Sequence, residues 1–214
     1  MRFLCLMLTI LLLQSCQPPP PRPLLPVWQS KELVVVTFNS PSTYYVDGQS
    51  NFAGLEYDLS KLFAKELGAD FKVKFLVVDS ISQVIPALQH GKAHLAAAGL
   101  GMTDLKQRMM RASMSYQTVQ QQVVYNLERS QKPVSVEGLI GKLLEVPAGS
   151  SYAERLSELS RGLPELHWRE VKNENSDELL EKVAEGAIDF TIADSHMIAM
   201  VQNYYPNLAV GFDF

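Results

Sequence analysis

Cysteine is nearly absent from this chain, with two among 214 residues, Cys5 and Cys16. A disulfide framework is excluded by that scarcity, and so is a cysteine-based metal site. Histidine is scarce as well, at four, and only His90 and His94 stand at the spacing of a zinc-binding helix. Gly91 falls between them as a helix stop, so they cannot share a helical face; neither a metal site nor a cofactor is expected. No run of Lys or Arg occurs, and the net charge is −4 with a pI near 5.6. Nucleic acid, which asks for a basic face, is therefore not an expected partner. Long apolar runs are lacking too, apart from Phe3 to Leu13, which is too short to span a bilayer comfortably.

That one run follows Arg2 and reads as a secretion signal over residues 1–15. Its end, Leu13-Gln14-Ser15-Cys16, resembles a bacterial lipobox, which implies lipidation at Cys16 and anchoring at the periplasmic face of the outer membrane. The following "QPPPPRPLLP" cannot be helical and reads as an extended tether, so residues 16–29 link an anchor to a globular part. Loss of residues 1–15 leaves Cys16 as the sole cysteine.

What is present is a pattern written twice. "ALQHGKAHLAAAGL" at 87–100 and "KVAEGAIDFTIADS" at 182–195 align on Gly91 and Gly186. Each reads as a helix end, a Gly stop and an apolar strand without polar alternation, as in a sheet covered on both faces. Each is the α-to-β step of a parallel sheet, and two such steps predict two α/β lobes. "LVVVTF" at 33–38 is the first strand, and Leu55, Leu59, Leu62, Phe63 and Leu67 at helical spacing predict a helix stopped by Gly68. Lobe 1 is expected over 30–115, and lobe 2 with a crossing strand over 116–214. The last helix is expected from Ser195 to Asn203, and a helix starting near Ser176 is expected to be capped by it.

In open α/β sheets ligands sit beyond the carboxyl ends of strands. The residues there are Tyr44 and Tyr45 after the first strand, Gly99 and the stretch 102–106 after "LAAAGL", Gly149-Ser150-Ser151 after "LLEVPA", and Asp194 at the end of "DFTIAD". A zwitterion needs a cation and amide donors for its carboxylate and an anion for its ammonium. Lys106, Ser150, Ser151 and Asp194 supply both signs.

The ordered segments "GLEYDLSKLFAKELG", "IPALQHGKAHLAAAGL", "MTDLKQR", "VPAGSSY" and "EGAIDFTIADS" resemble the family 3 solute-binding domains over roughly residues 30–214. That resemblance implies a two-lobed, periplasmic-binding-protein-like class II fold that closes on an amino acid. It also implies that the Thr-x-x-Arg grip on the ligand carboxylate falls on Thr103 and Lys106, with Arg108 as a possible substitute, and that Tyr44 packs on the ligand. Lys offers a point charge where Arg offers a planar fork, so a weaker grip on free amino acids is expected. His94 stands where the family has Asp and is assigned a structural role.

"AAGL" followed by "QQQVVYN", and "EGAIDFTIADS" followed by "YPNLAV", resemble more closely the binding domain of membrane-bound lytic murein transglycosylases. These couple such a domain to a lysozyme-like one that cleaves peptidoglycan at a catalytic Glu, usually in a Glu-Ser pair. No Glu-Ser pair occurs in this chain, and the carboxylates of "AERLSELSRGLPE" and "NENSDELLEK" read as solvated helix faces. The expectation is a regulatory binding domain for an amino acid or muropeptide, truncated before its return to lobe 1, with its catalytic partner absent. The alternative is an amino-acid-binding lipoprotein of an importer. A periplasmic enzyme on this scaffold has only Asp194 to recommend it.

Overall fold

The structure, a computed structural model, describes residues 23–214. The expected signal peptide, Cys16 and the first part of the tether lie outside the described residues. Helix α1 (Val27–Ser30) leads into strand β1 (Glu32–Phe38); a small hairpin, β2 (Tyr45–Val46) and β3 (Phe52–Ala53), occupies the stretch that follows. Next come α2 (Leu55–Leu67), β4 (Lys72–Val78), α3 (Val84–Gln89), β5 (Leu95–Ala96) and α4 (Asp104–Met109). The second half runs β6 (Gln121–Asn126), β7 (Leu144–Pro147), α5 (Ser151–Leu159), β8 (Arg169–Val171), α6 (Ser176–Glu185), β9 (Phe190–Asp194), α7 (Ser195–Gln202) and β10 (Leu208–Asp213). No helix among the described residues is long and apolar enough to cross a membrane.

These strands form two main sheets. The first has the order β4-β1-β5, all parallel, and the second the order β10-β6-β9-β7-β8. In the second, β7 is parallel to β8 and β9, whereas β6 runs antiparallel to β9 and β10. The doubled pattern lands as expected: Gly91 and Gly186 both take left-handed φ, 63° and 76°, which an L side chain adopts only at a cost, and each precedes a strand laid parallel to an earlier one.

The missing polar alternation has its reason in coverage on both faces. In β6, Val123 packs with Leu144, Leu156, Phe190 and Ile192 on one side, and Val124 with Leu179, Leu180, Val183 and Ile198 on the other; all are 2% exposed or less. Each such side chain stabilises the lobe by roughly 1.5–3 kcal/mol relative to exposure. In β1 the same split puts Val34 and Val36 on one face and Leu33 and Val35 on the other. A buried charge inside the second sheet is neutralised locally: Glu145 of β7 is paired with Arg169 on β8 and with Lys182 on α6.

Three elements differ from expectation. The apolar stripe of α2 faces outward, with Leu55, Leu62 and Phe63 exposed, and the helix meets its lobe through Glu56, Ser60 and Ala64. A close approach favours the small face: Ala64 packs on Leu33, Val35 and Phe71, and the Ser60 hydroxyl turns back to the Glu56 carbonyl at 2.7 Å. The cap of α6 is Asn175, one residue before Ser176, in a reciprocal capping box with Glu178. The C-terminal stretch adds a strand, β10, where none was expected. Gly211 permits it, because a Cβ there would stand 2.6 Å from Pro133 Cγ.

Candidate ligand cleft

The carboxyl ends of β1, β5, β7 and β9 open onto one shared cleft of about 1580 Å³ between the two sheets. Gly99, Thr103, Lys106, Ser150, Ser151 and Asp194 all line it, so six of the seven residues expected around a ligand are brought together.

On the first lobe, Thr103 caps α4, its hydroxyl oxygen accepting the Lys106 N–H at 3.2 Å. That turn carries the Lys106 side chain inward until the residue is 1% exposed. Its ammonium and the Thr103 hydroxyl both donate to the carboxylate of Glu154, on α5 of the opposite lobe. Arg108 is exposed and does not line the cleft, so of the two cations expected to grip a carboxylate it is Lys106 that faces it; Arg111 and Arg155 line the cleft as well.

On the second lobe, Ser150 is buried and its hydroxyl oxygen accepts the Ala153 N–H at 3.3 Å, the ordinary work of a helix cap. The Ser151 hydroxyl oxygen accepts from Gln121 Nε2 at 2.7 Å. Asp194 closes β9 and begins α7. Burial raises its carboxyl above the usual carboxylate range, opposed by a hydrogen bond from Tyr152 and the neighbouring His196. Its Oδ1, like His196 Nδ1 nearby in sequence, has no hydrogen-bond partner among the described residues. A buried carboxylate oxygen left so is costly, and a ligand ammonium would satisfy it.

Gly99 takes φ 56°, and its N–H donates to Glu56 Oε1 at 2.7 Å, so its amide serves the loop. Glu56 also receives the Tyr116 hydroxyl; burial raises its carboxyl, and its second oxygen has no partner among the described residues.

Tyr44 is placed elsewhere, a correction to the expected aromatic contact. Its ring stacks on Phe52 at 5.4 Å and packs on Tyr57 and Phe75, lining a separate groove of about 510 Å³ between α2 and β4. Tyr45 lines the cleft instead. Successive strand residues point to opposite faces, and Tyr45 opens β2.

Glu154 is the larger correction, because it is no solvated helix charge. A signal for it existed: an acid in the first turn of a helix that follows a strand's carboxyl end is close to the cleft wherever that helix starts. Glu56, Tyr116 and His196 gave no comparable signal. His94 is structural in its contacts. Its Nδ1 accepts the Val34 N–H at 3.0 Å, which leaves the proton on Nε2 to donate to the Leu25 carbonyl at 2.8 Å.

With two lobes and a cleft carrying charges of both signs, the comparison with known proteins is direct: the pattern of the bacterial extracellular solute-binding proteins, family 3, matches residues 33–206. The chain belongs to that family. Among relatives, it is 50% identical over 208 residues to the membrane-bound lytic murein transglycosylase F of Methylobacillus flagellatus, a match covering 97% of this chain and 44% of the relative. The chain thus spans less than half of that relative's length. Among solved structures, an ancestral arginine-binding protein bound to arginine aligns with a TM-score of 0.75 at 24% identity, over 86% of this chain and 80% of that one. The ancestral amino acid-binding protein AncCDT-1, a precursor of cyclohexadienyl dehydratase, aligns at 0.74 and 26% identity, over 88% of this chain and 80% of that one. Family 3 membership accounts for the two-lobed α/β architecture.

Proposed function

We propose that this chain binds an amino acid or a peptidoglycan-derived peptide in the cleft and acts as the regulatory part of a membrane-bound lytic murein transglycosylase. The observation that carries the binding reading is the pair of opposite anchors. Thr103 and Lys106 already hold a carboxylate, that of Glu154, and Asp194 offers a buried carboxylate oxygen without a partner among the described residues. A ligand carboxylate fits the first anchor and a ligand ammonium the second. The relation to lytic murein transglycosylase F supports the regulatory half, with cleavage assigned to a further domain.

In this reading closure is the signal. A ligand that touches both lobes shifts the open–closed equilibrium by its differential affinity for the two states, and an attached domain senses the change. Lipidation at Cys16 would hold the assembly at the outer membrane. Titration calorimetry with a panel of free amino acids and stem-peptide fragments tests the binding claim. Saturable heat with at least one of them, lost in Asp194→Ala, is the expected result; no binding by any would refute it. Attachment through Cys16 is checked by the lipid mass on the N-terminal peptide of the membrane fraction.

A further inference from the structure

The cation expected to grip a ligand is already occupied, and by this chain itself. Glu154 reaches from α5 on the second lobe to the first, and its two oxygens take separate donors: Oε2 the Thr103 hydroxyl and Oε1 the Lys106 ammonium. This is the pair of donors that a bound carboxylate would use. Lys106 is 1% exposed and has no other hydrogen-bond acceptor among the described residues, whereas the Glu154 side chain is 19% exposed and sits at the cleft edge. A buried ammonium demands a counter-charge, so some carboxylate stays on Lys106 whenever the cleft is shut.

We propose that Glu154 is a tethered stand-in for the ligand: its carboxylate fills the Thr103–Lys106 subsite, draws the lobes together from within, and must be displaced by any ligand that binds through a carboxylate. The proposal rests on the cleft being the binding site and deepens it into a rule of ligand choice. An ammonium can reach Asp194 without disturbing Glu154; a carboxylate can reach Lys106 only by exchange. Among the described residues, further bridges between the lobes are neutral hydrogen bonds on the other flank, from the Ser80 and Ser82 hydroxyls to the Lys172 carbonyl at 2.5 and 3.0 Å and from the Ile81 N–H to Asn175 Oδ1 at 3.3 Å. Each is worth about 1 kcal/mol. Glu154 is the ionic member of the set.

Lysine matters to the rule. Its ammonium has three N–H donors but is a compact single positive charge, so a second carboxylate beside Glu154 would leave one buried negative charge that Lys106 does not neutralise. Exchange therefore follows from the single charge at position 106.

The test uses the full chain and the variants Glu154→Gln and Glu154→Asp, the second keeping the charge while shortening its reach in case the first destabilises the fold. X-ray scattering without added ligand reads the compaction of the lobes. Calorimetry reads the affinity for alanyl-alanine and for its C-terminal amide, which differ only in the carboxylate. The expected result is a larger radius of gyration in both variants, and an affinity gain of about tenfold for the dipeptide in Glu154→Gln, with the amide changed less than twofold. Unchanged compaction in both variants overturns the proposal, as does an equal gain for dipeptide and amide. If neither probe binds any form, the binding reading is undercut for these peptides, while the scattering comparison still decides whether Glu154 holds the lobes together.

Discussion

Gly101 is the position at which a single methyl group should pry the lobes apart. It lies between β5 and α4 on the first lobe, against the start of α5 on the second. A Cβ built there would stand 2.8 Å from Ser151 Oγ, 3.3 Å from Ser151 Cβ and 3.7 Å from Gln121 Nε2. Its backbone is not in the left-handed region, so alanine meets no conformational penalty there and the effect is steric alone. Rotation of the Ser151 hydroxyl relieves the shortest contact but gives up the hydrogen bond from Gln121, about 1 kcal/mol, and leaves the Cβ contact, which the helix holds in place. Together these place Gly101→Ala in the usual range for overpacking, about 1–3 kcal/mol against the closed form. That is a five- to 150-fold shift toward the open form. Fluorescence transfer between dyes on the two lobes measures it, with Gly48→Ala as control, since nothing lies within 4 Å of a Cβ there. Equal transfer in the two variants would refute the steric argument and, with it, the tight approach of the lobes at Gly101.

Asp194→Asn should abolish or sharply weaken amine binding yet cost no stability at neutral pH. Because burial raises the Asp194 carboxyl in the folded state, its contribution is fully present below the unfolded carboxylate value and is lost as pH rises through the folded one. Denaturant midpoints should thus favour the Asn variant more at pH 7 than at pH 4; the opposite ordering would refute the assignment. Tyr116→Phe removes a donor to the buried Glu56 carboxylate and should destabilise the first lobe by about 1–3 kcal/mol, less at acid pH where Glu56 is protonated, as thermal melts at two pH values would read. His94→Ala leaves the Val34 N–H without its acceptor and frees the Leu25 carbonyl, so limited proteolysis should cut ahead of β1 much faster than in the parent chain.

Much of this was legible in the residues, for reasons that differ by element. The two Gly-stopped units could be read because a left-handed helix end and a doubly covered strand each leave a local mark, and both marks survive whatever surrounds them. The cap at Asn175 was missed in favour of Ser176: Asn175 and Glu178 stand three apart, as a capping box requires, yet Ser176 next to it is an equally good cap by type. Local chemistry alone does not choose between such neighbours. The choice between Tyr44 and Tyr45 has the same character: it depends on the register of β2 against β3, which pairs Tyr45 with Ala53. The outward stripe of α2 reverses the usual rule, because the face that meets the sheet is picked by close approach at Ala64 and by the Glu56 contact with Gly99, neither visible as periodicity. The partnership of Glu154 with Lys106 spans 48 positions and two lobes; the sequence marks Lys106 as a grip for a ligand carboxylate, but nothing local to Glu154 distinguishes it from a solvated helix charge.

The charges of the cleft then fit together by exchange. Lys106 is neutralised by Glu154, and Asp194 carries a raised carboxyl with one oxygen unsatisfied. A zwitterion entering this cleft changes no net charge: its carboxylate takes over Lys106, its ammonium satisfies Asp194, and Glu154 is released at an edge where water already reaches it. The exchange has one net gain, the pairing of Asp194, because the Lys106 contact is made before and after. Affinity should therefore follow the ammonium end, and the carboxylate end should decide which lobe contact survives. A ligand bearing only an amine keeps Glu154 in place and stabilises the closed form. One bearing a carboxylate as well replaces a tethered bridge with its own body, so the separation of the lobes becomes a function of the ligand's length. That is the property a sensor of peptide fragments requires, and it follows from one lysine, one glutamate and the cleft between them.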